Sequence, residues 1–227
     1  MGSVSPDAVN RYLKQTRELY GDELFLESSP VSEKKDLQTI HLEFSTELDS
    51  FHQQIHECQK CRLGQSRTNF VFCVGDPNAS LVLVGEAPGE QEDLKGEPFV
   101  GRAGQLLDKI LAAIDRSREK DVYICNVIKC RPPQNRDPLA DEVEQCEPYL
   151  IHQINLIQPK LIVALGRVAG KTLLNVDNSL KSMRGILHNY HNTPLIVTYH
   201  PAALLRNPNW KPEAWKDFKW IRSMIDA

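Results

Sequence analysis

The sequence predicts a three-layer α/β/α sandwich around a central, mainly parallel sheet of four strands. Four short apolar runs rich in β-branched residues occur between residues 80 and 200, and helical patterns separate them. Runs that are apolar throughout are typical of strands buried on both faces, as in a parallel sheet covered by helices. The alternation of strand and helix therefore predicts the α/β class. The four runs are residues 81–84, 122–125, 161–165 and 195–198.

Helical patterns lie between and after these runs. Apolar residues recur at helical spacing, three or four positions apart, so that they line one face of each segment. The segments are residues 103–114, 139–157, 169–174 and 213–225.

A separate appendage precedes the first strand. Ser5-Pro6-Asp7 is a helix-start signal, and the helical pattern after it ends at Gly21. Residues 27–35 have the composition of a linker. We therefore predict an acidic helical extension and linker over residues 1–44 and a larger domain over residues 45–227.

Charge is spread unevenly over the 227 residues, although the formal net charge is only −3. Residues 1–57 hold five Lys and Arg against eleven Asp and Glu, whereas residues 181–227 hold seven against three. This asymmetry indicates an acidic appendage followed by a domain with an electropositive region. Plain solvation of surface helices is the alternative explanation.

Composition excludes several classes of protein. Hydrophobic residues at 41% and charged residues at 25% match ordinary globular usage, which excludes a wholly disordered chain. No stretch approaches the roughly 18–20 apolar residues of a membrane span. The first residues lack the basic and then apolar pattern of a secretory signal. We expect a cytoplasmic protein with no membrane partner.

Polar residues follow three of the four predicted strands. Gly85-Glu86-Ala87-Pro88-Gly89 follows the first strand, Asn126 the second and His200 the fourth. Ligands bind beyond the carboxyl ends of the strands in such sheets, so these residues are candidates for one site. The first segment lacks the Lys and Ser or Thr of a P-loop and the glycine spacing of a dinucleotide fold, which excludes a nucleotide cofactor. Each residue also has a purely structural explanation, such as bonding to loop backbone.

Four of the six cysteines are placed as candidate metal ligands. Cys58 and Cys61 form a C-x2-C pair at the end of a helical pattern, and Cys130 and Cys146 flank a loop and the first turns of a helix. Four thiolates serve either a structural zinc ion or an iron–sulfur cluster, and spacing alone does not choose between them. The other two lie in apolar strand patterns, where free cysteine packs as a small hydrophobe: Cys73 and Cys125.

A longer set of motifs occurs in one unbroken order: Cys58-x2-Cys61, residues 85–89, Pro98-Phe99-Val100-Gly101, Asn126, Lys129-Cys130-Arg131-Pro132-Pro133, Cys146 and residues 200–206. This set resembles the family 4 uracil-DNA glycosylases, the iron–sulfur type of bacteria and archaea, over about residues 45–225. The resemblance implies the uracil-DNA glycosylase fold and a base excision repair enzyme. Such an enzyme flips uracil out of DNA and hydrolyses its N-glycosidic bond, leaving an abasic site. A non-catalytic iron–sulfur DNA-binding module on the same fold is the alternative.

The resemblance also implies a division of roles within the site. Phe99 stacks on uracil, and Asn126 reads the N3–H and O4 edge of the base with its amide. His200 hydrogen-bonds O2 and stabilises the anion that leaves. The segment that lines the pocket with its backbone is Glu86, Ala87 and Pro88.

The residue that handles water is less directly indicated. Ala87 stands where better-known uracil glycosylases have Asp, so the candidates that position water or stabilise the cationic sugar are Glu86, Glu92 and Asn135. After His200, the resemblance places the wedge that fills the vacated base stack. The wedge residues are Leu204, Leu205 and Arg206.

Cofactor and partners follow from the same resemblance. It implies a structural [4Fe–4S] cluster on Cys58, Cys61, Cys130 and Cys146, with zinc as the alternative. The expected partner is uracil-containing DNA, single- or double-stranded, and the protein is expected to be a monomer. The N-terminal extension is a candidate docking segment for another repair or replication protein. Residues 131–137 contain no histidine, which favours turnover over the covalent capture of DNA by a relative of this family.

Overall fold

The structure is a computed structural model that describes residues 37–227, with side chains described from residue 46. The helix predicted to start at Ser5 and the linker predicted at residues 27–35 lie outside the described residues. The first described helix begins at Leu37, ahead of residue 45, where the sequence places the start of the larger domain.

A six-stranded sheet forms the centre of the domain. Its strands are β1 (Val74–Gly75), β2 (Leu81–Gly85), β3 (Val122–Asn126), β4 (Leu161–Leu165), β5 (His188–Tyr190) and β6 (Thr193–Thr198), in the order β1-β3-β2-β4-β6-β5. The four central strands run parallel, which confirms the predicted mainly parallel sheet. The two edge strands are antiparallel and raise the predicted four strands to six; β1 begins directly after Cys73, where the sequence showed an apolar strand pattern, whereas the polar β5 was not predicted.

Helices cover both faces of the sheet. The four helices predicted between and after the strand runs are present, and short helical turns follow several strands. The α-helices are α1 (Leu37–Ile55), α2 (Leu63–Ser66), α3 (Glu90–Lys95), α4 (Arg102–Ala112), α5 (Ala140–Ile157), α6 (Arg167–Leu174), α7 (Leu180–Met183), α8 (Pro201–Arg206) and α9 (Lys211–Ile225); the 3-10 turns are Pro133–Asn135 and Pro208–Trp210.

Alternating side chains of the central strands divide the core into two layers. In β2, Val82 and Val84 pack with helices α1, α5 and α6, whereas Leu81 and Leu83 pack with α4 and α9. Successive strand residues point to opposite faces, so a run that is apolar throughout supplies both layers. Each of these four side chains is fully buried. The predicted three-layer sandwich is confirmed.

Parallel register brings the carboxyl ends of the central strands to one edge of the sheet. Gly85 at the end of β2 pairs with Asn126 at the end of β3, and Leu165 pairs with Thr198. The residues that follow these strands therefore meet at one edge, which we call the carboxyl edge. Within the described residues, no helix is long and apolar enough to span a membrane.

Candidate active site

Gly85, Asn126 and Phe99 form a close-packed wall at the carboxyl edge. The Asn126 side chain lies inside the protein with 2% of its surface exposed. A Cβ atom on Gly85 would lie 2.3 Å from Asn126 Oδ1 and 2.8 Å from two atoms of the Phe99 ring. Position 85 therefore requires glycine, because any side chain would displace both neighbours. The predicted amide and aromatic ring are brought together by this close approach.

Phe99 adopts a strained backbone conformation that its surroundings hold in place. Its φ angle is +54°, in the left-handed region that costs a bulky residue about 1–3 kcal/mol. Arg118 Nη2 donates to the Phe99 carbonyl at 3.0 Å, and Glu92 Oε1 accepts the N–H groups of Val100 at 3.0 Å and Gly101 at 2.9 Å. Strain at an aromatic side chain that is fixed this firmly is typical of a ligand-binding position.

A glycine in helix α4 allows the Phe99 turn to pack closely. A Cβ atom on Gly104 would lie 1.7 Å from the Phe99 carbonyl oxygen, so the turn rests directly on the helix backbone. Arg118 also holds Asp108 of α4 through Nε at 2.9 Å and Nη2 at 2.7 Å. The turn and the helix are thus tied together by one guanidinium.

His200 caps helix α8 and presents a defined tautomer. The Ala202 N–H donates to His200 Nδ1 at 3.1 Å, so Nδ1 carries a lone pair and a neutral ring holds its proton on Nε2. Burial and, to a lesser extent, the positive charge of Arg206 lower the pKa of His200 to about 4, although the Glu92 carboxylate acts in the opposite direction. His200 is therefore a neutral N–H donor at pH 7.

The His200 ring lies beside the Phe99 ring. Their centroids are 5.5 Å apart with a tilt of 30°, which joins the end of β6 to the wall at the ends of β2 and β3. Gly166 permits this placement, since a Cβ atom there would lie 2.9 Å from His200 Cβ, and its φ angle of +100° favours glycine. Three strand ends thus contribute to one site.

Glu86 supplies a carboxylate with a raised pKa. Partial burial and the negative charge of Asp137 raise the pKa of Glu86 to about 7, and the positive charge of Arg167 acts in the opposite direction. Next along the chain, Ala87 is half-buried and Pro88 is buried. A partly buried carboxyl that titrates near neutrality is suited to accept a proton from water.

The other two candidates for handling water are engaged elsewhere. Both N–H bonds to Glu92 Oε1 come from the Phe99 turn, which makes Glu92 a positioning residue for that turn. Asn135 is exposed, and its Oδ1 accepts a hydrogen bond from Arg131 Nε at 2.8 Å. Glu92 Oε1 and Asn135 Oδ1 thus accept hydrogen bonds from protein donors, and the catalytic role expected of these two residues stays a prediction.

The predicted wedge residues differ in exposure. Leu204 is 1% exposed and packs inside the protein, whereas Leu205 is 37% exposed and Arg206 is exposed beside it on α8. An inserting side chain must protrude from the surface. The protruding members of the predicted wedge are therefore Leu205 and Arg206, and Leu204 anchors the helix beneath them.

The four predicted ligand cysteines lie in one region of the core. Cys130 and Cys146 are buried, and Cys58 and Cys61 pack against the same apolar cluster. Burial raises the pKa of Cys146 to about 11; Lys129 acts in the opposite direction, and the charges of Cys130 and Cys61 contribute to the increase. Burial also raises the pKa of Cys130, with contributions from Cys61 and Cys58. The four sulfurs are thus close enough to interact electrostatically.

Donor groups surround three of these sulfurs. Arg67 Nη1 lies 3.3 Å from Cys130 Sγ, the Lys129 N–H lies 3.3 Å from Cys146 Sγ, and Tyr149 Oη lies 3.3 Å from Cys58 Sγ. Such donors stabilise thiolates that bind a metal cluster. Over residues 46–227, no three His, Cys, Asp or Glu side chains are placed to hold a single metal ion.

Lys129 is a functional residue that the sequence did not reveal. Its side chain is fully buried, and Nζ donates to the Asn126 carbonyl at 2.8 Å and to Gln153 Oε1 at 2.5 Å. Gln153 Nε2 in turn donates to Tyr123 Oη at 2.8 Å. The ammonium therefore fixes the backbone that carries the Asn126 amide. A lysine in a sequence is normally read as solvent-exposed, so only its place between Asn126 and Cys130 could have signalled this role.

Comparison with known proteins agrees with this geometry. A family model described as the uracil DNA glycosylase superfamily matches residues 72–219. A protein of Archaeoglobus fulgidus named type-4 uracil-DNA glycosylase is 46% identical over 182 residues, covering 77% of this chain and 91% of the relative. Proteins of the same name from Sulfurisphaera tokodaii and Thermotoga maritima are 45% and 44% identical, covering 78% and 68% of this chain and 84% and 81% of the relatives.

Proposed function

The chain belongs to the type-4 uracil-DNA glycosylases of the uracil-DNA glycosylase superfamily, and from this we propose that it excises uracil from DNA by hydrolysing the N-glycosidic bond. The observation that carries the proposal is the meeting of Asn126, Phe99 and a neutral His200 at one edge of the sheet. Together they offer an edge reader, a stacking ring and an N–H donor for a flipped base.

Asn126 selects the base. Its amide offers a donor to uracil O4 and an acceptor to N3–H, whereas cytosine presents the opposite pattern at these positions. Because the amide is only 2% exposed, a mismatched edge would leave polar groups buried without partners. Phe99 supplies the ring on which the selected base stacks.

His200 stabilises the leaving group. As the C1′–N1 bond breaks, its electron pair stays with N1 and is delocalised onto uracil O2. The proton on Nε2 then forms a hydrogen bond to O2, since Nδ1 is already occupied by the Ala202 N–H. A neutral donor fixed before the reaction stabilises this developing charge without reorganisation.

Glu86 serves the sugar side of the reaction. Loss of uracil leaves an oxocarbenium-like cation at C1′, which the Glu86 carboxylate stabilises by its charge. A water molecule then attacks C1′, and its proton passes to Glu86. With a pKa near 7, Glu86 can both accept this proton and release it to solvent.

We propose that a [4Fe–4S] cluster binds Cys58, Cys61, Cys130 and Cys146. Support comes from the shared core location of the four thiols and the donor groups at three of the sulfurs. Bound iron would hold the thiolates in their deprotonated form and connect three chain segments: the Cys58–Cys61 pair, Cys130 and Cys146.

Alkaline cleavage of a uracil-containing oligonucleotide tests the activity. After incubation with substoichiometric protein, we expect a strand break at the uracil position in single- or double-stranded DNA. Binding without release of uracil would favour a non-catalytic DNA-binding module, which the relatives' names do not favour.

Asn126→Asp should reduce excision at least about 100-fold, because the carboxylate lacks the amide donor for O4. Activity within twofold of the parent would show that Asn126 does not read the base.

Iron and acid-labile sulfide analysis tests the cluster. The purified protein should be brown, and Cys130→Ala should reduce its iron content. Cys125→Ala is the matched control, because Cys125 is a buried free cysteine of β3 outside the ligand set. A colourless protein that contains zinc, or equal iron loss in both variants, would contradict the assignment.

A further inference from the structure

Two stacked aromatic side chains, Tyr199 and Trp210, lie close to the candidate active site but take no part in the proposed excision of uracil. Tyr199 and Trp210 stack with ring centroids 5.4 Å apart and an interplanar angle of 23°. The Arg184 guanidinium lies over the Tyr199 ring at 4.2 Å. Despite this packing, Trp210 keeps 41% of its surface exposed. The indole of Trp210 thus packs on the Tyr199 ring and still keeps a large part of its surface exposed.

A buried polar network holds this stack in place. Arg184 Nε and Nη2 donate to the Asp217 carboxylate at 2.8 and 2.9 Å, and Arg184 Nη1 donates to Tyr199 Oη at 3.1 Å. Thr198 Oγ1 donates to the same carboxylate at 2.6 Å. Both Asp217 and Thr198 are buried. The Tyr199 ring is therefore fixed, and Trp210 rests on a rigid base.

The stack lies at the carboxyl edge of the sheet, as the active site does. Helix α9 runs opposite to the strands: Asp217 contacts the end of β6 at Thr198, whereas the Ile225 carbonyl accepts from Lys160 Nζ at 3.5 Å at the start of β4. Trp210 immediately precedes α9, and so lies beyond the carboxyl edge. Tyr199 directly precedes His200 in the chain.

We propose that the exposed face of Trp210 binds an unpaired nucleobase of the DNA strand that carries the flipped uracil. In a single strand the bases on either side of the flipped nucleotide are unpaired, and an aromatic ring stacks on any base without regard to sequence. Exposed Arg206 and Lys211, which flank the stack, supply charge complementary to the strand's phosphates. The inference rests on the proposed function, since it takes the DNA substrate from it.

Binding to oligonucleotides that lack single bases tests this site. The probe is a single strand with one 2′-fluoro-2′-deoxyuridine, which resists hydrolysis, and an abasic analogue placed in turn at each of the three positions on either side. In the parent protein, loss of the base that stacks on Trp210 should raise Kd about 5-fold or more at one position. Equal Kd values for all the probes would overturn the proposal without reference to any variant.

Variants of Trp210 assign the effect to this ring. In Trp210→Ala, removal of the base at that position should no longer raise Kd. In Trp210→Phe most of the increase in Kd should remain, because a ring still packs on Tyr199. Trp215→Ala is the matched control, since Trp215 is also exposed, at 40%, and should leave the increase in Kd unchanged. The same increase in Kd in the parent and in Trp210→Ala would refute the assignment.

Two further readouts separate this inference from the proposed function. Inhibition by free uracil should be the same in the parent and in Trp210→Ala, because the stack lies outside the base pocket. A protein that shows the predicted increase in Kd with these probes but releases no uracil from an unmodified uracil-containing oligonucleotide would refute the glycosylase activity and leave the stacking site standing. A protein that releases uracil and shows no increase in Kd would refute only the stacking site.

Discussion

Substitution of Glu86 by Gln removes a carboxyl that titrates in the neutral range while keeping its size. Partial burial and the charge of Asp137 raise the pKa of Glu86 to about 7. The carboxylate form stabilises the sugar cation and accepts the water proton, so excision should require ionised Glu86. The parent enzyme should therefore lose activity as the pH falls through 7, and Glu86→Gln should not.

The size of the effect follows from the pKa. A group with a pKa of about 7 is about 90% ionised at pH 8 and about 10% ionised at pH 6. Single-turnover excision by the parent should thus fall about tenfold between these pH values. His200 does not contribute in this window, because burial lowers its pKa to about 4 and it stays neutral. Glu86→Gln should be about 100-fold slower at pH 8 and nearly independent of pH.

Single-turnover rates measured from pH 5.5 to 8.5 on one uracil oligonucleotide provide the assay. Two neighbours should shift the profile in opposite directions. Asp137→Asn removes a charge that raises the pKa of Glu86 and should move the profile to lower pH, whereas Arg167→Gln should move it to higher pH. A flat profile in the parent, or the same slope in Glu86→Gln, would refute the reasoning.

Three further substitutions test the framework of the site. Gly85→Ala should weaken inhibition by free uracil at least about tenfold, since the new Cβ would lie 2.3 Å from Asn126 Oδ1; unchanged inhibition would contradict this. Lys129→Met should lower the free energy of unfolding in urea by about 2–4 kcal/mol, because the Asn126 carbonyl and Gln153 Oε1 lose their buried donor. No loss of stability would mean that water replaces the ammonium. Glu92→Ala should raise KM for DNA more than it lowers kcat, because Phe99 loses the contacts that hold its turn; a loss in kcat alone would restore a catalytic role to Glu92.

The central strands and main helices could be predicted because their signals are local. Buried strands such as residues 161–165 are apolar throughout, and this pattern is readable without knowledge of the fold. The edge strand β5 was missed for the opposite reason. His188–Tyr190 is short and polar, and it becomes a strand because β6 offers it hydrogen-bond partners. β6 begins only two residues after β5, but nothing in the polar pattern of His188–Tyr190 itself indicates a strand.

The site could be predicted as a set of residues but not as an arrangement. Asn126 and His200 were recognised from motifs, and the structure brings both to Phe99. The positioning residues were not recognised, because nothing local marks Arg118 as the support of the Phe99 turn or Lys129 as a buried donor. Leu204 was predicted from its motif to be part of the wedge, but the structure buries its side chain.

By itself, the sequence determined the α/β class, the family, the four candidate thiols and the residues that follow the strands. Only the tertiary structure decided the chemical state of those residues: the proton of His200 on Nε2, the raised pKa of Glu86 and the strained turn at Phe99. The physical reason is that secondary structure depends on residues close together in the chain, whereas the chemical state of a site residue depends on residues brought close by folding. Strand and helix patterns follow backbone periods of two and about 3.6 residues, whereas burial and charge at a site come from segments far apart in the chain.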